Sequence, residues 1–573
     1  MKKKSFIIVL FFLLASVVNI VQCKTIEKTP IYKISNENNV RNVRDWPSIS
    51  LLYTDQYHTP EELVEELMQI NATAPGIVDL FTIGKSIEGR DIFCLRITEE
   101  QNTLPKAGVL FVAHHHAREQ ITIEMALRFM LVLVNNYGLD QEITNYINTE
   151  EIFFIPSLNP DGLHYVVGNE TNQGNPWLRR NVRPFDNDKD DLFDEDPPED
   201  TNGDGIISEF TIHFKNQQNE WVASGDQYYE GNDNDGDGLV NEDPIGGVDL
   251  NRNYDFRWGD STCDSGGTTN TLHEDYPGTA PFSEPETQAY RDFVEYKSFA
   301  TAISLHSGIN GTYFPWAAEP YWAEKELYGQ IYTNLKDLLP ANFLSYPTQT
   351  ESIGYTCAGE WGDWMYAAKH CLVPLTFEIY HNKSSNELSY LISEDESQQI
   401  WRWDGIYEMF APAESAIESL WNEIQYVFFY WLGLTPRLEI FIKSVTGGKN
   451  ASDSLRVKLS CASLSPLIGS IDKLNIAHKN LTSVLRRGTP VTFSEIPAGK
   501  SVDRSFDFEL KQKFSSGTNI TLLIGNEYIG YRSITIQEDQ VGDPQVSSGF
   551  IPVLIVIAIF LLVKIRKNTS RKD

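Results

Sequence analysis

Cysteine is scarce, at six in 573 residues. That excludes a small secreted scaffold stapled by disulfides; the pairing of Cys357 with Cys371 is left open. Basic residues are also under-supplied, with 47 Lys and Arg against 79 Asp and Glu and a net charge of −32. Such a surface repels phosphate backbones and excludes a nucleic-acid partner. No apolar run reaches the about 20 residues of a standard bilayer-crossing helix. What is present is 41% hydrophobic and 12% aromatic residues, enough for the cores of several globular domains.

Both ends report on location. The basic Met1–Lys4 followed by "SFIIVLFFLLASVV" reads as a secretory signal, residues 1–23. Gln22 argues against lipid attachment at Cys23. The apolar "GFIPVLIVIAIFLLV" begins a transmembrane helix expected over 549–565, lengthened by Val546–Gly549 and a snorkelling Lys564. The basic tail 566–573 marks a cytoplasmic flank. The expectation is a single-pass cell-membrane protein with its bulk outside. The Asn-x-Ser/Thr acceptors ahead of the span (Asn71, Asn169, Asn310, Asn382, Asn450, Asn480, Asn519) agree with that placement.

Between the ends, residues 46–432 alternate helical and strand patterns. "HTPEELVEELMQI" carries Thr59, Pro60 and Glu62 as N-cap, first helical residue and capping-box acid. "AGVLFVAHHH" reads as a buried strand, "EQITIEMALRFMLVLVNNYG" as a helix stopped at Gly138, and "EIFFIPSLNPDG" as a strand and turn. "SFATAISLHSG" and "CLVPLTFEIY" are further strands ending on polar residues. The alternation predicts an α/β fold with a mixed sheet flanked by helices, ligands lying beyond the strands' carboxyl ends. Residues 435–540 instead show short β-patterned runs, predicting a small all-β sandwich that serves as a spacer or adhesion module. Residues 541–548 would be a stalk.

The chemistry begins at "HHHARE". A zinc site takes imidazole and carboxylate donors and leaves one position for water. His116 and Glu119 form the one H-x-x-E register here, since neither His114 nor His115 has an acid three residues on. His306, closing an apolar run, is the best third donor. The segments "GKSIEGRDI", "HARE", "NPDG", "WLRRNVR", "GVDLNRNY", "LHSG" and "LTFEIY" occur in this order. Over residues 50–430 the set closely resembles the zinc carboxypeptidase family of the carboxypeptidase A type.

The resemblance implies an eight-stranded-type sheet and a zinc-dependent exopeptidase acting on peptide or protein C-termini. It makes His116, Glu119 and His306 zinc ligands and Asp249 the acid that orients a ligand histidine. Glu378 becomes the general base acting on a zinc-activated water, and Arg179, rather than Arg180 or Arg183, the oxyanion's arginine. Asn251 and Arg252 would grip the substrate's terminal carboxylate, with Arg118 contacting it upstream and Tyr355 closing over it. Asp363 and Trp364 support that tyrosine's register. Cys357, Glu360, Gly362 and Thr376 would line the specificity pocket, where Glu360 offers charge for a basic residue. Gln120 and Ile379-Tyr380 depart from the family pattern at positions without a catalytic role. Only residues 24–45 separate the signal from the catalytic segment, too few for a zymogen-sized prodomain.

One segment lies outside the resemblance. Residues 184–244 carry nineteen acids against two lysines and contain a repeat, "DNDKDDLFDEDP" and "DNDGDGLVNEDP", 47 residues apart. Asp233, Asp235 and Asp237 before Gly238, and Asp200, Asn202 and Asp204 before Gly205, have the alternating oxygens and turn glycine of calcium loops; Asp186, Asp188 and Asp190 lack the glycine. None has the bidentate Glu of an EF-hand, though Asn241 and Asp243, or Asp194 and Asp196, can complete shorter cages. Calcium is therefore expected beside one zinc, with the insertion bracing the substrate loop. Two alternatives stand beside the peptidase: a zinc amidohydrolase or deacylase, disfavoured by the complete Asn251-Arg252 clamp, and a non-catalytic adhesion protein, disfavoured by Glu378 with all three ligands.

Overall fold

The computed structural model describes residues 46–536, apart from 55, 102–105, 168–173, 187–188, 190, 242, 342, 346–353, 383–387, 437, 448–453, 464–473, 480–484, 488–490, 494–495, 497–500, 511–519 and 527–529. The signal, stalk, span and tail predicted above lie outside these residues. Among the described residues no helix is long and apolar enough to cross a membrane.

The capping box forms as its spacing requires. Glu62 N–H donates to Thr59 Oγ1 at 3.2 Å and Thr59 N–H to Glu62 Oε2 at 2.9 Å, starting α1, Pro60–Thr73. The chain continues through β1 (Val78–Lys85), β2 (Asp91–Ile97), β3 (Ala107–Ala113), α2 (Ile121–Asn136), α3 (Gln141–Thr149), β4 (Glu150–Ile155) and α4 (Pro160–Val167). "NPDG" was expected to be a turn. It opens α4 instead, because Asn159 Oδ1 accepts the Gly162 N–H at 2.9 Å and caps the first turn.

After β5 (Glu209–Lys215) and β6 (Trp221–Tyr229) come α5 (Pro285–Tyr296), β7 (Phe299–His306), β8 (Asn310–Tyr313), α6 (Lys325–Leu338), β9 (Leu344–Ser345), α7 (Trp361–Lys369) and β10 (Val373–Ile379). The main sheet has eight strands in the order β1-β2-β4-β3-β7-β10-β8-β9. Its centre, β4-β3-β7-β10, is parallel, while β1, β2 and β8 run antiparallel to their partners toward the centre. Strand β3 is buried along its whole length, and its side chains alternate between two cores. Val109 and Phe111 join α1, α2, α6 and α8 (Ile417–Leu434) on one face; Leu110 and Val112 join α5 and α7 on the other. His306 ends β7, Glu378 is the penultimate residue of β10, and His116 follows β3, so the three sit at the carboxyl edge of adjacent parallel strands. The Asn310 acceptor lies in β8 and is buried, which excludes a glycan there in the folded chain.

A buried clasp holds the N-terminal segment. His58 Nδ1 lies 2.7 Å from Glu124 Oε1 in α2, and Nε2 lies 3.4 Å from Glu66 Oε1 in α1. Burial pushes the His58 pKa down, but the two carboxylates outweigh it and hold it up at about 9.

The acidic insertion is not only loops. Strands β5 and β6 form a hairpin that pairs with β12 (Gln398–Trp403), itself paired with β11 (Ser389–Glu394), in an antiparallel sheet ordered β11-β12-β5-β6. Its alternating "EFTIHFK" signal was masked by the flanking acids. Beyond α8, β13 (Leu438–Gly447), β14 (Ser454–Ser463), β15 (Leu474–Lys479), β16 (Leu485–Arg487), β17 (Val491–Phe493), β18 (Ser501–Leu510), β19 (Ile520–Asn526) and β20 (Gly530–Ile536) make two four-stranded antiparallel sheets, β13-β14-β18-β16 and β17-β15-β19-β20. Cys357 and Cys371 are both buried and free, so the bridge left open above does not form.

Candidate active site

Three donors converge at the carboxyl edge of β3 and β7. His116 Nδ1 lies 2.7 Å from Glu119 Oε1, and His306 Nδ1 lies 3.0 Å from Glu119 Oε2 and 3.2 Å from His116 Nδ1. All three side chains are buried. The opposite ring nitrogens are engaged: His116 Nε2 with Asp249 Oδ1 at 3.2 Å, and His306 Nε2 with Ser304 Oγ at 2.9 Å. A carboxylate only accepts, so it fixes His116 with its proton on Nε2 and its lone pair on Nδ1. Two imidazole nitrogens and a carboxylate facing one another across about 3 Å are the donor set of zinc, and the residues fit that ion. Burial pushes the Glu119 pKa up, but the two imidazoles outweigh it and hold the carboxyl below its ordinary range.

The other two histidines are structural. His114, at φ 60°, places Nε2 2.8 Å from Ala117 O; His115 Nε2 meets Tyr254 Oη at 2.9 Å and its Nδ1 meets Ser304 Oγ at 3.1 Å. Ser304 thus orients both His115 and His306, a role the sequence reading missed. Its signal was position: Ser304 is two residues before His306, on the same face of β7.

Asp249 is fully buried and every oxygen is used. Oδ1 also accepts the Asn251 N–H at 2.8 Å, and Oδ2 accepts Arg179 Nε at 3.0 Å with Nη2 at 2.9 Å. Burial would raise its pKa, but Arg179, Arg252 and His116 hold it well below the ordinary carboxylate range. One acid therefore fixes the first ligand, the oxyanion candidate and the turn carrying Asn251-Arg252. Arg180 and Arg183 are spent elsewhere, on Thr271 O and on Glu284.

Asn251 Oδ1 accepts the Trp361 N–H at 3.0 Å, leaving its Nδ2 without a partner among the described residues. Arg252 donates from Nε to Ser265 Oγ and from Nη1 to Asn251 O. Glu378 presents a buried Oε2 that has no partner among the described residues. Burial, reinforced by the Glu119 charge, raises its pKa well above the ordinary range. The free Oε2, on the strand next to the one that carries His306, is placed to accept a proton from water. Tyr355 is 38% exposed, as suits a group that closes over a ligand.

Two sequence-predicted contacts are placed differently. Arg118 is bound bidentately by Glu274 at 2.8 and 3.1 Å and lies 4.2 Å over Phe410, so it is not a free substrate contact. Glu360 is buried as the N-cap of α7: Oε2 accepts the Gly362 and Asp363 N–H groups, and Oε1 accepts Thr376 Oγ1 at 2.9 Å. It still lines a small cavity with Gly362, Asp363 and Thr376. Cys357 is fully buried, and Asp363 accepts the Ala317 and Ala318 N–H groups.

In the insertion, Asp233, Asp235 and Asp237 bring exposed oxygens within 4.8 Å of one another. The three acidic loops share one pattern. The first Asp (186, 200 or 233) accepts N–H groups three and five residues on. Asp204 is paired with Arg402 at 2.7 Å, Asn202 Nδ2 donates to Glu230, and Asp188 and Asp190 lie outside the described residues. Asp194 accepts the backbone N–H of Gly246, and Asp196 those of Asn234 and Asn241. The insertion packs on Trp177, two residues before Arg179: its Nε1 donates to Ile207 O and its ring lies 4.6 Å from that of Tyr229.

Residues 63–426 match the zinc carboxypeptidase family. The chain is 36% identical over 132 residues to a zinc carboxypeptidase of Saccharothrix mutabilis subsp. capreolus, covering 22% of this chain and 29% of that one. It is 23% identical over 286 residues to carboxypeptidase A6 of Mus musculus, covering 50% of each. The chain thus spans half or less of the length of these curated relatives. Among solved structures, thrombin activatable fibrinolysis inhibitor aligns with a TM-score of 0.47 at 20% identity, covering 67% of this chain and 76% of that one. With the family match extending over most of the described α/β region and the donor triad, Asp249 and Glu378 assembled at one sheet edge, the chain belongs to the zinc carboxypeptidase family.

Proposed function

We propose that the chain is a zinc-dependent metallocarboxypeptidase that hydrolyses the C-terminal peptide bond of peptides or proteins. The observation that carries this reading is the unpartnered Oε2 of Glu378 beside the three converging donors. His116, Glu119 and His306 would hold the ion, which when bound supplies Lewis-acid polarisation. Glu378 takes the proton of the attacking water and passes it to the leaving amine. Arg179, whose Nη1 has no partner among the described residues, donates to the developing oxyanion while Asp249 holds its other edge. Asn251 and Arg252 bind the terminal carboxylate, which an internal bond lacks, and Tyr355 shields the bound residue from water.

The finer readings are proposals of the same kind. Residues 435–540 would act as a separate sandwich domain, a span at 549–565 would anchor the chain with its catalytic region outside the cell, and the acidic insertion would bind calcium. The repeated loop pattern around Asp233 supports the last of these.

Mass spectrometry of peptides incubated with the zinc-loaded full chain tests the reading. Peptides with a free C-terminus should lose residues one at a time from that end, and their C-terminal amides should persist. Cleavage of simple N-acyl amides with no requirement for a terminal carboxylate would favour an amidohydrolase instead.

A further inference from the structure

Three segments far apart in sequence meet at Ser265. Its hydroxyl receives Arg252 Nε at 2.8 Å and donates to Asp275 Oδ2 at 2.6 Å. Its backbone N–H donates to Thr356 O at 3.0 Å and its carbonyl accepts the Ala358 N–H at 2.9 Å. This is a parallel bridge around Cys357, next to Tyr355. Asp264 adds a second tie, accepting the Thr356 N–H at 2.8 Å and its Oγ1 at 2.9 Å. Ser265 and Arg252 are 5% and 3% exposed, so water offers little substitute for these bonds.

The direction of the chain is forced by the groups themselves. A guanidinium only donates, so Ser265 Oγ must accept from Arg252. Its single proton is then free for Asp275, whose carboxylate accepts. Arg252 Nη1 is committed to Asn251 O. The edge bearing Nη2 is the part left for a ligand, and its direction is set by where Nε is held. Bidentate recognition of a carboxylate depends on that plane, because a rotated guanidinium keeps its charge and loses the paired geometry.

We propose that Ser265 and Asp275 are positioning residues for carboxylate recognition: through Arg252 Nε they fix the guanidinium plane, and through the bridge to Thr356 they hold it in register with Tyr355. The identity of the ligand, a peptide's C-terminal carboxylate, rests on the carboxypeptidase reading. Neither residue touches the ligand or the reacting atoms.

The test is calorimetric binding of N-acetyl-phenylalanine and of N-acetyl-phenylalanine amide to the zinc-loaded full chain, with thermal melting as the check on folding. The wild type should prefer the carboxylate. Asp275→Asn and Ser265→Ala should each cut that preference about ten-fold while binding the amide as before, since a bond to a charged group is lost. Against cleavable peptides, KM should rise with kcat within about two-fold, because nothing at Glu378 changes. If Asp275→Asn fails to fold, Ser265→Ala, which deletes one hydroxyl, carries the test. Variants that keep the wild-type preference, or a wild type that binds amide and carboxylate equally, would overturn the proposal. A preference lost in the variants of a chain that hydrolyses no peptide would uphold the positioning role and sink the carboxypeptidase reading.

Discussion

Residues 231–243 and 249–253 both draw on Asp and Asn, yet their acids end in opposite physical states. Asp233, Asp235 and Asp237 are exposed and bond the N–H groups of their own turn. Asp249 is fully buried, and its two oxygens meet a histidine, an arginine and a backbone N–H. Water and salt screen the first set, so each carboxylate there contributes little by itself. Nothing screens the second, so removing one partner leaves others buried and unpaired. The difference teaches that the chemistry follows burial and partners rather than the density of acids. The insertion outnumbers the site in carboxylates, but Asp233, Asp235 and Asp237 bond only within their own exposed turn in the hydrogen bonds seen there.

The largest effect should come from the buried side. Glu378→Gln should lower kcat about a thousand-fold while leaving zinc content, read by metal analysis, unchanged. His58→Gln should come next, in stability rather than activity. The folded pKa of about 9 exceeds the model-compound value, so protonation stabilises the fold. That stabilisation, roughly 3 kcal/mol, is fully present below about pH 6.5 and vanishes as pH rises through 9. Denaturant melts should therefore separate variant and wild type most at pH 6 and bring them together toward pH 10. Asp249→Asn should weaken zinc binding about 10–100-fold in chelator competition, because His116 loses the acid that sets its tautomer. The smallest effect should be that of Asp233→Asn, Asp235→Asn and Asp237→Asn together. Without calcium this variant should melt within about 0.5 kcal/mol of the wild type; with calcium, only the wild type should gain melting temperature. A loss of turnover in that triple variant as large as in Glu378→Gln would break the contrast between the two regions.

Much of the buried side was legible in the sequence. The H-x-x-E register picked out His116 and Glu119, the strand-end position gave His306, the family resemblance gave Glu378, and the α1 capping box formed as spaced. These signals are local, or depend on where a strand stops. The partners of the arginines were not legible. Glu274 reaches Arg118 across 156 residues, and Asp275 is hydrogen-bonded to Arg252 through Ser265. Long-range pairing also hid the β5–β6 hairpin, whose partner strand β12 lies beyond β10. Glu360 was read as pocket charge because nothing in its neighbours announces that the carboxylate turns back to cap its own helix.

The account rests on Glu378 acting beside a zinc held by His116, Glu119 and His306. The most direct measurement is release of C-terminal residues from a peptide library by the zinc-loaded full chain, run beside Glu378→Gln at matched zinc content. The account predicts stepwise release by the wild type and none above background in the variant. Release that persists in the variant, or a zinc-loaded wild type that releases nothing from any peptide, would contradict it.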